Sequence, residues 1–448
     1  MSDTLADLCH ALLDAARAAG ADQADAMALN GQSLSIDIRG GSLEQAERAE
    51  GTDIGLRVLI GQRQATVSAS DTKAATLREM AQRAVAMAQE APQDPYIGLA
   101  DPDQLATNPN AAALELYDSS PEPAPTTLQD MAARAEAAAL DVVGISQVQS
   151  ASAGWGRRDV YIAATNGFSG GYARSSHSVS CVAIAGTGAD MERDYDGDSR
   201  IFGSDLRDAA EIGTCAAQRA VARMGARKPR TGAYPILFDE RISGSLISHL
   251  LGAIHGSAIA RGSSWLRDAL GEQVLPSGIS VVEDPHRSRA TGSRPFDAEG
   301  LPTARRTIVE NGILTGWTLD LTNARKLGMQ STANAVRGPG SAPSPGNYNI
   351  ALTQGEKSPT DLMAEMGTGL LVTSMIGSTI NPNTGDYSRG ASGIWIENGL
   401  PAYPVNECTI AGNLRDMLMH VTPSNDARTH LSQVVPSLLV EGLTLAGD

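Results

Sequence analysis

The sequence has few aromatic residues and no closely spaced cysteines. Aromatic side chains make up 4% of the 448 residues, so the cores must be built mainly from Ala, Leu, Ile and Val. The four cysteines, Cys9, Cys181, Cys215 and Cys408, lie far apart and form no CxxC pair. This excludes the common zinc-ribbon and redox spacings. Because no export signal is visible, we expect free thiols.

Long apolar runs and excess positive charge are also missing. No stretch approaches 18 consecutive apolar residues, so no transmembrane helix is expected. Residues 1–20 lack the basic start and apolar run of a signal peptide, which predicts a cytoplasmic location. Asp and Glu number 51 against 35 Lys and Arg, giving a net charge of −16. A nucleic-acid surface needs clustered Lys and Arg. We therefore expect neither a nucleic-acid partner nor membrane association.

The first part of the chain, residues 1–112, predicts a helix, three strands and a second helix. An amphipathic helix begins at Leu5 and stops before Gly20. Alternating apolar residues in LSIDIRGG and IGLRVLI predict two strands, and QATVSAS predicts a third. Asp71 is placed to cap the helix that follows. This succession forms one α+β unit.

The second part, residues 113–226, predicts the same order again. A helix near residues 126–140 precedes two strands, around Ile145–Ala153 and Asp159–Ala164. Asn166-Gly167 is a strong hairpin signal, and HSVSCVAIAG follows it as the third strand. A long helix over about Ser204–Met224 ends the segment. We interpret the repeated order as an internal duplication of the α+β unit.

The remaining residues, 227–448, predict a β-rich domain with one early helix, about Ile242–Ala260. Short β-like runs such as GISVVED, TIVENGILTG and ASGIWIENG alternate there with Gly- and Pro-rich loops. The stretch RGPGSAPSPGN, residues 337–347, predicts an irregular loop on the surface or lining a cleft. The overall fold class is α+β.

Histidine spacing gives no indication of a metal site. None of the seven histidines belongs to HExxH, the helical motif of zinc peptidases. His249 and His255 are six positions apart on the predicted helix, which places them on opposite faces. No acidic residue occurs between Glu240 and Asp268, so this helix carries no general base. Two ordinary helix histidines are the favoured interpretation.

Two other segments contain residues that could bind a metal ion or react. In MERDYDGDSR, Asp194, Asp196 and Asp198 alternate and could hold calcium, but the glycine is not where a calcium loop requires it. A solvated acidic turn is favoured. Cys408 lies beside Glu407, which would raise its pKa, and a buried structural thiol is favoured over catalysis.

The segment NPNTGDYSRGASG brings Asp386, Tyr387, Ser388 and Arg389 together among glycines. Such a segment lets backbone N–H groups and an arginine approach a ligand, for example a peptide carboxylate. A tight turn in which Asp386 and Arg389 satisfy backbone groups explains the pattern equally well. Both interpretations stay open.

Several segments resemble the PmbA/TldD family, known as modulators of DNA gyrase and as TldD/TldE metalloproteases. The matching stretches span nearly the whole chain in the order of the family. They are IGLRVLIGQRQATVSAS, MERDYDGDSR, HGSAIARGSSWL, PFDAEGLPTARRTIVENGILTGWTLDLTNARKLGMQST, NPNTGDYSRGASGIWIENG, YPVNECTIAGNL and PSLLVEGLTLAG.

The resemblance also indicates a branch of the family. TldD-type chains carry HExxxH on a helix and a distant cysteine as third zinc ligand. If His255 stood for the second histidine of that motif, the first histidine and the glutamate would fall on Leu250 and Leu251. No cysteine occurs near SRGASG, and Cys408 lies in another context. This pattern is similar to the TldE (PmbA) branch.

The resemblance then implies a function. A TldE-type chain would hold no cofactor, and a TldD-type partner would supply zinc, water and the glutamate base. The heterodimer would cut unfolded or extended peptides, bound as an added strand, in antibiotic maturation or antitoxin degradation. Two alternatives stay open. The chain could be a peptidase with an atypical metal site from His249, His255, Cys408 or the aspartates near Asp194, or a homodimeric peptide-binding module.

Overall fold

The computed structural model describes residues 4–107 and 110–448. The expected order of helix, three strands and helix is confirmed in the first part of the chain. The second part has the same order but not the same strands: the two strands expected at Ile145–Ala153 and Asp159–Ala164 form one strand, and the segment expected as an acidic turn forms the third. The first succession is α1 (Leu5–Ala19), β1 (Gln23–Arg39), β2 (Ser42–Ile60), β3 (Arg63–Ala69) and α2 (Ala74–Glu90). The second is α3 (Pro125–Leu140), β4 (Ile145–Ala164), β5 (Ser169–Ala185), β6 (Glu192–Arg200) and α4 (Ala209–Val221).

The two successions share one continuous sheet. Its strand order is β3-β2-β1-β4-β5-β6, and every pairing is antiparallel. Strands β1 and β4 join the halves, with pairs running from Asp25 and Ala164 to Ile38 and Ala151. Each unit contributes three strands in sequence order from the centre of the sheet to its edge: β1, β2 and β3 on one side, and β4, β5 and β6 on the other.

All four helices cover the same face of this sheet. Successive side chains of a strand point to opposite faces, and the even-numbered apolar residues of β1 are buried. One half of β1 packs under α1 and α2, and the other half packs under α3. The β1 residues are Ala24, Ala26 and Ala28 in the first group and Leu34, Ile36 and Ile38 in the second.

Local capping explains the helix boundaries. At the start of α1, the Thr4 side chain accepts a hydrogen bond from the Asp7 N–H, and Gly20 ends the helix with a φ of 100°. The expected cap of α2 by Asp71 is wrong: the N-cap is Lys73. Asp71 lies too early and instead accepts hydrogen bonds from the Lys73 N–H and the Thr76 hydroxyl. Helix α4 is shorter than expected because Asp208 caps it.

The C-terminal part contains the expected early helix and many short strands. Helix α6 lies within the predicted early helix, and three further short helices, α7 to α9, were not predicted. The elements are β7 (Gly232–Phe238), α5 (Glu240–Ala253), α6 (Gly256–Ala260), β8 (Val281–Glu283), β9 (Arg306–Glu310), β10 (Ile313–Leu314), α7 (Leu321–Leu327), β11 (Ala335–Val336), β12 (Ser344–Pro345), β13 (Ile350–Leu352), α8 (Pro359–Met366), β14 (Gly369–Ile380), β15 (Asp386–Glu397), β16 (Leu400–Asn413), α9 (Leu414–Met419), β17 (Val421–Pro423), β18 (Gln433–Val434) and β19 (Leu438–Ala446).

Five of these strands close into a ring. Strand β7 pairs with β14 and β19, β15 joins β14 to β16, and β16 returns to β19. Strands β10, β9, β8, β13 and β18 form a second sheet. Helix α5 contributes Leu246, Ile247 and Leu250 to the largest core, together with Ile236 and Phe238 of β7.

The loop at residues 337–347 is mostly irregular, as expected, but Ser344 and Pro345 pair with β11. The same loop crosses the six-stranded sheet. A side chain at Gly55 of β2 would lie 2.1 Å from the Pro339 carbonyl oxygen, so only glycine permits this approach. Among the described helices, none is long and apolar enough to span a membrane.

Candidate functional site

Helix α5 contains Leu250 and Leu251, the positions at which a TldD-type chain was expected to carry the first histidine and the glutamate of HExxxH. It follows β7 and begins at Asp239, whose side chain accepts a hydrogen bond from the Arg241 N–H. The predicted helix over residues 242–260 is wrong in one respect, because it breaks at Ile254. His255 has an extended backbone and begins α6. The Gly256 N–H donates to the Thr318 carbonyl oxygen at 2.9 Å, which replaces the helical hydrogen bond.

The break separates the two histidines. His249 and His255 do not lie on opposite faces of one helix, because they belong to different helices. The His255 Nε2 lies 2.7 Å from the Pro345 carbonyl oxygen, and its Nδ1 lies 2.9 Å from the Ser257 hydroxyl. Both ring nitrogens are therefore engaged in hydrogen bonds.

The residues at the zinc-helix positions do not fit a zinc site. Zinc requires nitrogen, sulfur or oxygen donors, and Leu250 and Leu251 are buried hydrocarbon side chains. The Cys408 thiol donates to the Ala391 carbonyl oxygen at 3.2 Å, and burial raises its pKa to about 11. Such a thiol stays protonated and is a poor metal ligand. Within residues 4–107 and 110–448, no group of three or more His, Cys, Asp or Glu is arranged to hold an ion.

The three aspartates of MERDYDGDSR form neither a solvated turn nor a calcium site. Asp194, Asp196 and Asp198 lie on strand β6, and all three are buried. Arginines occupy their carboxylate oxygens, which leaves a calcium ion without its usual donors. The pairs join Asp194 to Arg241, Asp196 to Arg207 and Arg219, and Asp198 to Arg200, at 2.8 to 3.1 Å.

A groove of about 310 Å³ runs beside the first half of α5. Its charged lining residues are Glu240, Arg241, Arg389 and Arg428. Arg428 Nε donates to Glu240 at 2.7 Å, although burial still raises the pKa of that carboxyl. Arg241 is also paired with Asp194 and Asp239. Arg389 forms no ion pair with a described carboxylate, and it therefore makes the groove attractive to an anionic group such as a peptide terminus.

The four residues of the DYSR segment are divided between two environments. Tyr387 is buried, and its hydroxyl lies 3.2 Å from the Met375 sulfur. Arg389 lines the α5 groove and donates from Nε to the Gly377 carbonyl oxygen at 2.7 Å. Asp386 is exposed and accepts hydrogen bonds from the Thr384 hydroxyl and from the Asn413 side chain at the end of β16. Because side chains alternate along β15, Ser388 shares the side of Asp386.

Sequence reasoning did not single out Glu240, Arg241 and Arg428 as groove residues. Glu240 and Arg428 are 188 positions apart and meet only through the fold. His249 was predicted only as a possible metal ligand. In the structure it packs edge-on against Tyr387, with ring centroids 5.9 Å apart. Burial and the nearby Arg389 lower its pKa, so the imidazole stays neutral, and its buried Nε2 has no described hydrogen-bond partner.

The fold is that of a metallopeptidase family. Family models match three successive segments: PmbA/TldA metallopeptidase domain 1 at residues 24–88, the central domain at 118–224 and the C-terminal domain at 231–447. The chain belongs to this PmbA/TldA (PmbA/TldD) family.

Individual relatives agree with this assignment. The chain is 36% identical to metalloprotease PmbA of Escherichia coli over 93% of this chain and 90% of that protein. A crystal structure described as a modulator of DNA gyrase, from Bacteroides thetaiotaomicron, superposes with a TM-score of 0.91 at 27% identity and covers 98% of both chains. TldE from Thermococcus kodakarensis has the same fold, with a TM-score of 0.83, 20% identity and coverage of 98% and 99%.

Proposed function

We propose that this chain is the non-catalytic subunit of a two-subunit zinc peptidase, the TldE (PmbA)-type partner of a TldD-type chain. The observation that carries the proposal is the pair of leucines on α5. Leu250 and Leu251 stand where the resemblance places a zinc ligand and the general base. Hydrocarbon side chains neither bind zinc nor accept a proton. The metal, the activated water and the base would come from the partner, and both chains would act in the cytoplasm.

The proposed role of this chain is to hold an extended peptide. Strand β14 pairs with β7 only at Leu370–Val372. Beyond Val372, no described strand pairs with that edge of β14, so a peptide could add there through main-chain hydrogen bonds. Arg389, on the neighbouring strand, forms no ion pair with any described carboxylate. It would bind the peptide's terminal carboxylate in the α5 groove.

The pairing is tested by purifying the chain alone and together with a TldD-type subunit from the same genome. We expect light scattering to give a heterodimer, with zinc and peptidase activity only in the mixed sample. Strong peptidase activity of the isolated chain, or failure of the two chains to associate, would contradict the proposal. A peptide-binding homodimer would instead bind extended peptides in calorimetry without the partner.

The groove is tested with Arg389→Gln in the mixed complex. Loss of a charge-assisted hydrogen bond should raise KM by about tenfold for peptides with a free carboxyl terminus near the cut. Amidated peptides should be unaffected. Arg261→Gln is a matched control, because Arg261 is exposed and outside the groove. Equal KM values for wild type and Arg389→Gln would remove the groove from the proposal.

A further inference from the structure

A second cavity lies against the six-stranded sheet of β1 to β6, on the face opposite helices α1 to α4. It has a volume of about 330 Å³, near the lower end of the range for small-molecule sites, roughly 300–1,000 Å³. Its floor is the face of β1, β4 and β5 that the helices leave uncovered. Its roof consists of residues 294–298 and 336–337 from the C-terminal part.

The floor is apolar along most of its length and basic at one end. Strand register places Met27 beside Ile162. The next row of the floor holds Leu29, Val160 and Tyr172, and the row after it ends in Arg158 and Arg174. Phe296 closes the apolar part from above, with its ring 5.5 Å from that of Tyr172. A ligand here would meet hydrocarbon and aromatic surface along its body and guanidinium groups at its end.

The charge of the cavity is opposite to that of the chain. The chain as a whole carries −16, yet four arginines line the cavity against one carboxylate, Asp297. That carboxylate already accepts three backbone N–H groups, and burial raises its pKa to about 6. It is therefore a weak counter-ion for the cluster of Arg158, Arg174, Arg294 and Arg337.

Arg337 supplies the observation that points to a missing ligand. Its side chain is only 3% exposed, and it shares Asp25 with Arg57. Its Nε and Nη2 atoms are buried and have no described hydrogen-bond partner, and the same is true of Arg294 Nε. Buried donors without acceptors are costly and rare in folded proteins. An anion inside the cavity would supply the acceptors.

We propose that this cavity binds a small organic acid, a carboxylate that carries an apolar or aromatic group. Guanidinium groups bind a planar carboxylate through paired hydrogen bonds, and the apolar rows accommodate the body of the ligand. Arg158 is exposed at the mouth, where it would meet the incoming anion first. The proposal goes beyond the peptidase role and does not depend on it.

The first test uses the full wild-type chain and isothermal titration calorimetry with 4-phenylbutyrate and its neutral amide. We expect the carboxylate to bind at least about tenfold more tightly, because charge-assisted hydrogen bonds are lost with the amide. Equal affinities, or no binding of either probe at millimolar concentration, would overturn the proposal. This comparison needs no variant, so it is independent of any folding defect.

The second test locates the site with Arg294→Gln and Arg158→Gln. Each should weaken 4-phenylbutyrate binding by about tenfold. Arg78→Gln, at an exposed position of α2, is the matched control and should bind as wild type does. Unchanged affinity in both cavity variants would place any binding elsewhere and overturn the assignment.

A third comparison identifies the source of the carboxylate. Short peptides ending in Phe with a free terminus are titrated beside 4-phenylbutyrate. Tighter binding of the peptide would indicate that the site takes peptide termini, and tighter binding of the simple acid would indicate a free metabolite. Either order supports the carboxylate site, whereas equal binding of the free-terminus peptide and its amide contradicts recognition of peptide carboxylates.

Discussion

The two faces of the six-stranded sheet are stabilised by different interactions. The helix-covered face is made of Ala, Leu and Ile rows, such as Ala26, Leu34 and Ile36, packed against α1 to α4. The opposite face carries Asp25 and Arg57 on neighbouring strands, where Arg337 reaches them from the C-terminal part. Around β1 the first face is closed by hydrocarbon, whereas its β6 edge carries buried aspartate–arginine pairs. Around β1 the second face is closed by buried ions beside a cavity.

This difference separates general stability from specific docking. Apolar contact is non-directional and grows with buried area. A buried ion contributes only when its partner is in place, because removing one partner leaves an uncompensated charge. Burial by itself would raise the pKa of Asp25, but Arg337 and Arg57 outweigh it and lower that pKa. The sheet face that carries Asp25 and Arg57, here called the ionic face, therefore depends on the correct position of the 337–347 loop.

The largest effect is expected from Asp25→Asn. The change leaves two buried arginines without their shared anion, which should lower the free energy of unfolding by about 3–5 kcal/mol. Urea denaturation followed by circular dichroism measures this loss. Asp37→Asn on the same strand, which forms no described ion pair, should change stability by less than about 0.5 kcal/mol. If the two variants were equally stable, the ionic face would not depend on its charges.

A similar but smaller loss is expected on the apolar face from Leu12→Ala. Leu12 is fully buried in α1, and a Leu-to-Ala cavity costs about 2–5 kcal/mol. This loss should be nearly the same at low and high salt, because no charge is involved. Leu43→Ala, at a half-exposed position of β2, serves as the control. A strong salt dependence of the Leu12→Ala loss would contradict the comparison.

The ionic face should also be sensitive to pH through Glu299. Burial and the nearby Asp297 and Asp320 raise the pKa of Glu299 to about 8, so the folded protein holds its proton. Stability is full below the unfolded pKa and is lost as pH rises toward the folded pKa. The loss is at most about 1.4 kcal/mol per pH unit for one proton.

The expected result for Glu299→Gln follows from this sign. The variant removes the titration, so its stability relative to wild type should increase steadily between pH 5 and pH 8. Urea denaturation at four pH values measures the difference. A constant difference across this range would show that Glu299 titrates alike in the folded and unfolded chains.

The smallest effect is expected from Ile36→Val, where the first unit packs against α3 of the second. Loss of one buried methylene costs about 0.5–1.5 kcal/mol. Ile376→Val, at a mostly exposed position of β14, is the matched control. A loss above this range would indicate that the contact between the two units is packed more tightly than the rest of the apolar face.

Local patterns in the sequence were sufficient to predict most elements of the N-terminal half. Alternation identified the three strands of the first α+β unit and parts of β4 and β5 in the second, but not β6. Asn166-Gly167 identified the turn between β4 and β5, and the early C-terminal helix was predicted to start within two residues of its observed start. The same patterns failed at His255 and Asp71. The helix breaks at Ile254 because the chain near Thr318 takes over a hydrogen bond. No pattern within residues 242–260 contains that contact.

The candidate sites were less predictable. The DYSR segment was singled out as one cluster, but strand alternation directs only Tyr387 and Arg389 toward α5. The partner of Arg428 in the groove is Glu240, 188 positions away. The carboxylates near Asp194 were expected in solvent because most of their arginine partners, Arg207, Arg219 and Arg241, lie outside the segment. Pairing across such distances leaves no periodic signal.

The sequence by itself determined which chemistry the α5 positions can carry, because the identity of Leu250 and Leu251 excludes zinc ligation in any fold. It also determined much of the secondary structure of the N-terminal half, since alternation and capping act over a few residues. Only the tertiary structure decided where the charges meet. It joined the two units into one sheet and enclosed Arg337 beside a cavity, because burial and ion pairing depend on contacts between residues far apart in the chain.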